Sequence, residues 1–170
     1  MLIPTTLTLT DDSGFLAIVN ADKYNSFVSE QWELPQLLNR FVDEMNNNTL
    51  IIWATGSENQ CTINFLDTFS DKKSFREFSK TIEVTNGQLF LTNYEDLTMA
   101  AQFADEKIPT KHNSELSIQL DNGKYEFIVR QLFDPKDYKY EAEGNVNFEV
   151  AIQPDTKRQV QRIDKIFWKQ

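Results

Sequence analysis

Residues 80–93 read KTIEVTNGQLFLTN, in which Ile82 and Val84 precede the pair Asn86-Gly87 and Leu89, Phe90 and Leu91 follow it. Asn-Gly accepts the positive φ that a two-residue turn demands, which makes it the strongest short-range hairpin signal. The spacing predicts two antiparallel strands joined at Asn86-Gly87. The same grammar recurs on either side. Residues 115–120 (ELSIQL) and 124–133 (KYEFIVRQLF) flank Asp121-Asn122-Gly123, a second expected hairpin. Residues 5–10 (TTLTLT) and 15–19 (FLAIV) flank Asp11-Asp12-Ser13-Gly14, a third. Asp and Ser bond their own backbone in such turns, and Gly supplies the positive φ.

Working outward, residues 49–54 (TLIIWA) form a continuous apolar run suited to a central strand, whereas Cys61, Ile63 and Phe65 alternate with polar residues. Val146, Phe148, Val150 and Ile152 share one face of a further strand. One helix stands out. Leu34, Leu37, Leu38, Phe41, Val42 and Met45 follow the i, i+3, i+4, i+7 spacing of a single apolar stripe. Pro35 is tolerated in a first turn, and the asparagines at 46–48 supply a stop. The helix is expected over about 34–46, packed on a sheet face. Residues 94–107 (YEDLTMAAQFADEK) fit a strand at period two through Leu97, Met99, Ala101 and Phe103, while their composition favours helix; the reading leans to an extended segment with a loop. Residues 159–170 (QVQRIDKIFWKQ) stay open between helix and strand. With 170 residues and no linker-like stretch, the expected fold is one domain over 1–170, a mainly β, antiparallel sandwich with one packed helix.

Charge speaks to partners. The 26 acidic and 17 basic side chains give a formal net charge of -9. Such a field repels phosphate backbones and anionic membranes, so neither nucleic acid nor membrane is expected as a partner, and it speeds encounter with a basic protein. The segment 154–170 reverses the sign, with Lys157, Arg158, Arg162, Lys165 and Lys169 against Asp155 and Asp164. Val160, Ile163, Ile166, Phe167 and Trp168 in the same segment point to docking on the acidic body. No apolar run approaches the ~20 residues that span a bilayer, and no basic n-region opens the chain; a cytoplasmic protein is the expectation.

Chemical constellations are sparse. His112, the lone histidine, lies in the polar stretch PTKHNSE without a nucleophile beside it. Cys61, the lone cysteine, excludes an internal disulfide, has no neighbouring cation to activate it, and reads as a small core residue. Phosphate-cradling glycine motifs are absent, and the acidic pairs 11–12, 95–96 and 105–106 lack the spacing of a calcium loop. No catalytic residue, cofactor or metal is assigned, and a non-enzyme is expected.

What remains is a binding surface. Residues 134–144 read DPKDYKYEAEG. Tyrosine offers large contact area at low rotamer cost, and neighbouring acids suit a basic target. Asp134, Asp137, Tyr138, Tyr140, Glu141 and Glu143 are the candidate partner-binding residues. The stretch 94–106, with Tyr94, Glu95, Asp96, Asp105 and Glu106, is the competing patch, and Trp32 is a possible anchor or a helix-packing residue.

The run KTIEVTNGQLFLTN…ELSIQLDNGKYEFIVRQLFD over 80–133 resembles the ComJ-like family of small acidic β-sandwich proteins that inhibit a competence nuclease. Bacterial immunity proteins against secreted toxins use similar layouts. The resemblance covers about a third of the chain, and the helix at 34–45 and the 134–144 loop depart from it. It implies protein–protein inhibition without catalysis. The resulting expectation is a bacterial immunity or inhibitor protein that neutralises a basic toxin such as a nuclease, its carboxylates standing where substrate phosphates would. The alternative is a carbohydrate-binding module or carboxylate-dependent hydrolase on a β-sandwich, using Trp32, Trp53 or tyrosines with acids.

Overall fold

The computed structural model describes residues 4–58, 60–137, 145–157 and 161–170. In chain order its elements are β1 (Thr5–Thr10), β2 (Phe15–Val19), α1 (Leu34–Asn46), β3 (Leu50–Ala54), β4 (Gln60–Leu66) and β5 (Arg76–Val84). Then follow β6 (Gln88–Asn93), α2 (Tyr94–Gln102), a 3₁₀ turn at Lys111–Asn113, β7 (Ser117–Gln119), β8 (Gly123–Gln131) and β9 (Phe148–Pro154). The strands make two sheets, a five-stranded one in the order β1-β4-β9-β8-β5 and a four-stranded one in the order β3-β2-β6-β7. All pairings are antiparallel except β4 with β9. The mainly β sandwich with a packed helix is therefore what the chain forms.

The local hairpins are not. All three turns lie where expected, with Gly14, Gly87 and Gly123 at positive φ, but each joins strands of different sheets. β1 pairs with β4 and β2 with β3 and β6; β5 pairs with β8 and β6 with β2 and β7. The reason lies in the side-chain pattern. Strands of the five-stranded sheet alternate, as in REFSKTIEV of β5, with Phe78, Ile82 and Val84 inward and Glu77, Ser79, Thr81 and Glu83 outward. Strands β2, β3 and β6 are apolar on both faces. A sheet wetted on one face takes the first kind, and a sheet covered on both takes the second. A β1–β2 or β5–β6 hairpin would join an alternating strand to a continuous one and leave one of them in the wrong layer; the short β7 (SIQ) alternates, and this contrast does not account for the third turn.

Two cores result. Between the sheets lie Leu16, Ile18, Trp53, Ile63, Ile82, Leu91, Phe127 and Phe148. On the far side of the four-stranded sheet, Ala17, Val19, Ile52 and Phe90 meet Leu37, Phe41 and Met45 of α1 and Leu97, Ala100 and Ala101 of α2. The second helix corrects the extended reading of 94–107. Asn93 caps it, its side chain accepting the Asp96 N–H at 2.9 Å. Leu97 and Ala101 face the core one turn apart, while Met99, which a strand would have placed beside them, is 39% exposed.

The C-terminal segment forms neither helix nor regular strand among its described residues, yet Ile163, Ile166, Phe167 and Trp168 dock on the body as expected, while Val160 lies outside the described residues. Ile166 is buried in the helix-side core, Phe167 forms a parallel bridge with Trp53, and its ring stacks on Phe78 with centroids 3.9 Å apart. Among the described residues no helix is long and apolar enough to cross a membrane.

Candidate functional site

One end of the sandwich gathers the β1–β2 turn, the loop after β3, the start of β5, the exit of β8 and the last residues of the chain around a cleft of about 680 Å³. The loop after β8 carries the first two predicted contact residues. Leu132 donates its N–H to Asn147 O, which holds the loop's root, and Phe133 packs on Phe148 with centroids 6.0 Å apart. Asp134 then folds a tight turn: its Oδ1 accepts the Lys136 N–H at 2.9 Å, and its carbonyl accepts the Asp137 N–H at 2.9 Å. Asp134 is half-buried against the cleft, whereas Lys136 and Asp137 are exposed. Tyr138, Tyr140, Glu141 and Glu143 lie outside the described residues.

The floor of the cleft is built by polar groups that leave little freedom. Gln131, the buried last residue of β8, donates Nε2–H to Thr55 O at 2.6 Å and accepts the Arg76 Nε–H on its Oε1 at 2.5 Å. Arg76 lies against the Trp168 ring, its guanidinium carbon 4.3 Å from the centroid, and 5.6 Å from the Phe75 ring. Such stacking over aromatic faces is where arginine differs most from lysine. Burial lowers the Arg76 pKa from its ordinary value, and the Asp134 carboxylate opposes that shift. Gly56, at φ +80, lets the Thr55 loop close on the β8 exit, because a Cβ there would stand 2.6 Å from Pro135 Cγ.

Asp11 staples the opposite wall. Wholly buried, it accepts the N–H groups of Ser13, Gly14 and Phe15 on Oδ1 at 2.8–3.2 Å and the Thr55 hydroxyl on Oδ2 at 3.0 Å. Burial raises its pKa, and these donors pull the other way. The cleft's aromatic rim contains Phe75, 49% exposed, and Trp168, a non-glycine residue held at φ 63. A left-handed tryptophan costs backbone strain, which the surrounding packing must outweigh.

The other candidates separate clearly. In the 94–106 patch, Asp96 is committed to structure, accepting from Thr110 Oγ1 at 3.1 Å and Asn113 Nδ2 at 2.7 Å. Tyr94 packs on Phe15 and Phe41, while Glu95, Asp105 and Glu106 are exposed. Trp32 donates its indole N–H to Gln102 Oε1 at 3.1 Å and packs against the helix-side core. Trp53 is entirely buried between the sheets, which removes it from any sugar-binding platform. His112 is exposed on its 3₁₀ turn. Cys61 points into the core, where burial pushes its thiol pKa up to about 12. Among the described residues no group of three or more His, Cys, Asp or Glu is placed to hold a metal ion.

Sequence reasoning named the acidic 134–144 stretch as a contact surface and did not assign to it the aromatic residues that line the cleft beside Asp134. Phe75-Arg76, Gly56 and Trp168 come from three distant segments, and no local pattern announces that they meet. The one available signal was the pairing of an arginine with aromatic residues beside a strand start and near the chain's last residues.

No protein-family model and no curated protein sequence matches the chain. Among solved structures, a protein described as crocagin biosynthetic gene J aligns with a TM-score of 0.61 at 12% identity, covering 91% of this chain and 99% of that one. ComJ of Bacillus subtilis, an inhibitor of the DNA-degrading activity of NucA, aligns with a TM-score of 0.52 at 11% identity over 89% of this chain and 97% of ComJ. The resemblance first read from the 80–133 segment thus extends over nearly the whole length, and the chain has a ComJ-like fold.

Proposed function

We propose that this chain is a non-catalytic inhibitor that binds a protein partner, with a DNA-degrading nuclease as the partner class. The observation that carries this reading is the near end-to-end likeness to ComJ, which is itself described as a nuclease inhibitor. The net charge of -9 supports it, since a nuclease surface built to hold phosphates attracts carboxylates. In this reading the protein works in a bacterial cytoplasm and occludes the active site of a basic toxin. Asp134 and Asp137, with Tyr138, Tyr140, Glu141 and Glu143, form the contact surface, and the cleft that Asp134 lines adds Phe75, Arg76 and Trp168. Tryptophan, tyrosine and arginine are the residue types that dominate binding energy at interfaces.

The test is an inhibition assay on plasmid DNA, using nucleases of the native host. Stoichiometric protein is expected to stop degradation by one of them, with inhibition weakening as salt rises. Asp137→Lys should slow association and flatten that salt dependence, whereas Trp168→Ala should speed dissociation at a loss of ~2 kcal/mol. Degradation that proceeds unchanged at large molar excess, for every nuclease of that host, overturns the proposal.

A further inference from the structure

The two sheets present four edges, and three are bridged, charged or too short to pair. The outer side of β3 is bridged by Phe167, whose carbonyl accepts the Ala54 N–H at 2.9 Å. β5 is closed at one end, where Glu83 donates its N–H to Asn48 O at 2.9 Å and its carbonyl accepts from the Asn20 side-chain amide at 2.9 Å, and the rest of the strand carries the charged residues Arg76, Glu77 and the inward-pointing Lys80. β7 has only three residues. The fourth edge is different. β1 is six residues long, pairs among the described strands with β4 alone, and contains no charged residue, proline or bulge in a chain that is 25% charged. Those are the devices by which proteins protect an edge from pairing with another chain. Among the described residues, no backbone group hydrogen-bonds to the outer edge of residues 6–10; the Asn93 amide makes a 3.5 Å contact with Thr10 O.

The bare edge is also self-complementary. Thr6-Leu7-Thr8-Leu9-Thr10 reads the same in both directions, and its two faces are chemically uniform. Thr6, Thr8 and Thr10 lie exposed on the outer face, where Thr6 donates to Asn64 Oδ1 at 2.7 Å and Thr8 meets the Thr62 hydroxyl at 3.2 Å. Leu9 is buried toward the other sheet, and Leu7 beside it is half-buried. We infer that β1 seats a second copy of this chain, joined antiparallel across a two-fold axis at Thr8.

That axis sets Thr6 against Thr10 of the other copy, Leu7 against its Leu9, and Thr8 against Thr8. Residues of like parity meet, so whichever set of N–H and C=O groups faces outward finds the same set opposite. The two five-stranded sheets become one, and half-buried Leu7 gains an apolar neighbour. Charge favours this edge as the meeting place: two bodies of -9 repel each other, and an uncharged strand is where they approach with least opposition. A five-residue edge is only ~17 Å long and buries well under the ~1,000 Å² of a stable interface, so the dimer is weak, micromolar or above.

Sedimentation velocity over a series from about 10 to 500 μM protein, spanning the range expected for so small a contact, tests this. Wild type is expected to pass from monomer to dimer, and added NaCl to favour the dimer by screening the net repulsion. Thr8→Lys and Thr8→Glu each place like charges across the axis and should shift the curve at least tenfold toward monomer. An equimolar mixture of the two should restore association. Thr8 is exposed, so both variants should keep the parent's thermal melt, which verifies that folding is not the cause. A wild type that stays monomeric throughout overturns the inference, as does a dimer indifferent to both substitutions. Loss of nuclease inhibition by Thr8→Lys in a monomeric protein would assign the edge to the foreign partner and overturn it too. Because inhibition should weaken with salt while self-association strengthens, failure of one reading is distinguishable from failure of the other.

Discussion

The two sheets differ in strand length, three to six residues in the four-stranded sheet against six to nine in the other, and still more in what lies outside them. Beyond the four-stranded sheet sit α1, α2 and a second apolar core; beyond most of the five-stranded sheet sits water, met by Thr6, Thr8, Ser79, Thr81 and Glu83. That difference decides which strands pair. FLAIV of β2 has Leu16 and Ile18 between the sheets and Ala17 and Val19 under the helices, so it suits only the covered sheet. TTLTLT of β1 has one apolar face, so it suits only the open one. Turn residues fix where the chain reverses, and side-chain periodicity fixes the layer to which it reverses.

The sharpest way to break this comparison is to charge the covered outer side of one sheet and make part of the open outer side of the other apolar. Phe41 of α1 is entirely buried over the four-stranded sheet, its ring edge-on to Phe27 and Tyr94 at 6.2–6.3 Å. Phe41→Asp removes that packing and buries an unpaired carboxylate, for an expected loss of about 4 kcal/mol or more. Ser79→Ala on the outer face of β5 should stay within about 0.5 kcal/mol of the parent. Urea melts of the two variants decide it. Similar midpoints for both would mean that the helices do not cover a core.

A second contrast separates turns that need glycine for φ alone from one that also needs the missing Cβ. Gly14 and Gly87 have positive φ with open space where a Cβ would stand. Alanine at either position should cost about 1 kcal/mol from backbone strain. Gly56→Ala adds a collision with Pro135 and should cost roughly 2–3 kcal/mol, since the Thr55 loop must separate from the β8 exit. Equal melting points for the three variants would show that the cleft floor yields freely.

The fold was legible in outline because its signals are local. The α1 stripe, the alternation of β4 and the glycines of the three turns stand in single short windows. Strand partners were misread because Asn86-Gly87 marks a reversal equally well within a sheet and between sheets. The distinction was present in the contrast between REFSKTIEV and QLFLTN, one alternating and one continuous. For α2, the period-two run of Leu97, Met99, Ala101 and Phe103 outweighed a composition that favours helix, although Leu97 and Ala101 also fit a helical turn. The cleft was illegible for a different reason. Arg76 is stacked on Trp168 some ninety residues away, and its meaning exists only once β5, β8 and the final segment are assembled.

The finest contrast lies in two buried charges, one in each kind of environment, and it yields opposite responses to pH. Asp11 is wholly buried beside the covered strand β2, and burial raises its pKa above the ordinary 3.8. Below that ordinary value the carboxyl is neutral in both folded and unfolded chains and its burial as a charge costs nothing. As pH rises through the raised folded value, the folded state holds the proton longer than the unfolded one, so stability falls. Lys80 projects inward from β5 of the open sheet, 1% exposed, with its ammonium donating to Asn48 Oδ1 at 3.1 Å. Burial lowers its pKa below 10.5 and Asp155 opposes the shift. Here the unfolded chain holds the proton longer, so stability rises with pH between the lowered value and 10.5. Asp11→Asn keeps an acceptor for the Ser13, Gly14 and Phe15 amides, and Lys80→Met keeps the side-chain volume. Stability relative to the parent should therefore grow for Asp11→Asn as pH climbs from about 4, and shrink for Lys80→Met as pH climbs toward 10. Urea midpoints of the three proteins across pH 3–10 measure both slopes. Parallel curves would mean that Asp11 and Lys80 are held by their hydrogen bonds alone, with the desolvation of either charge fully offset.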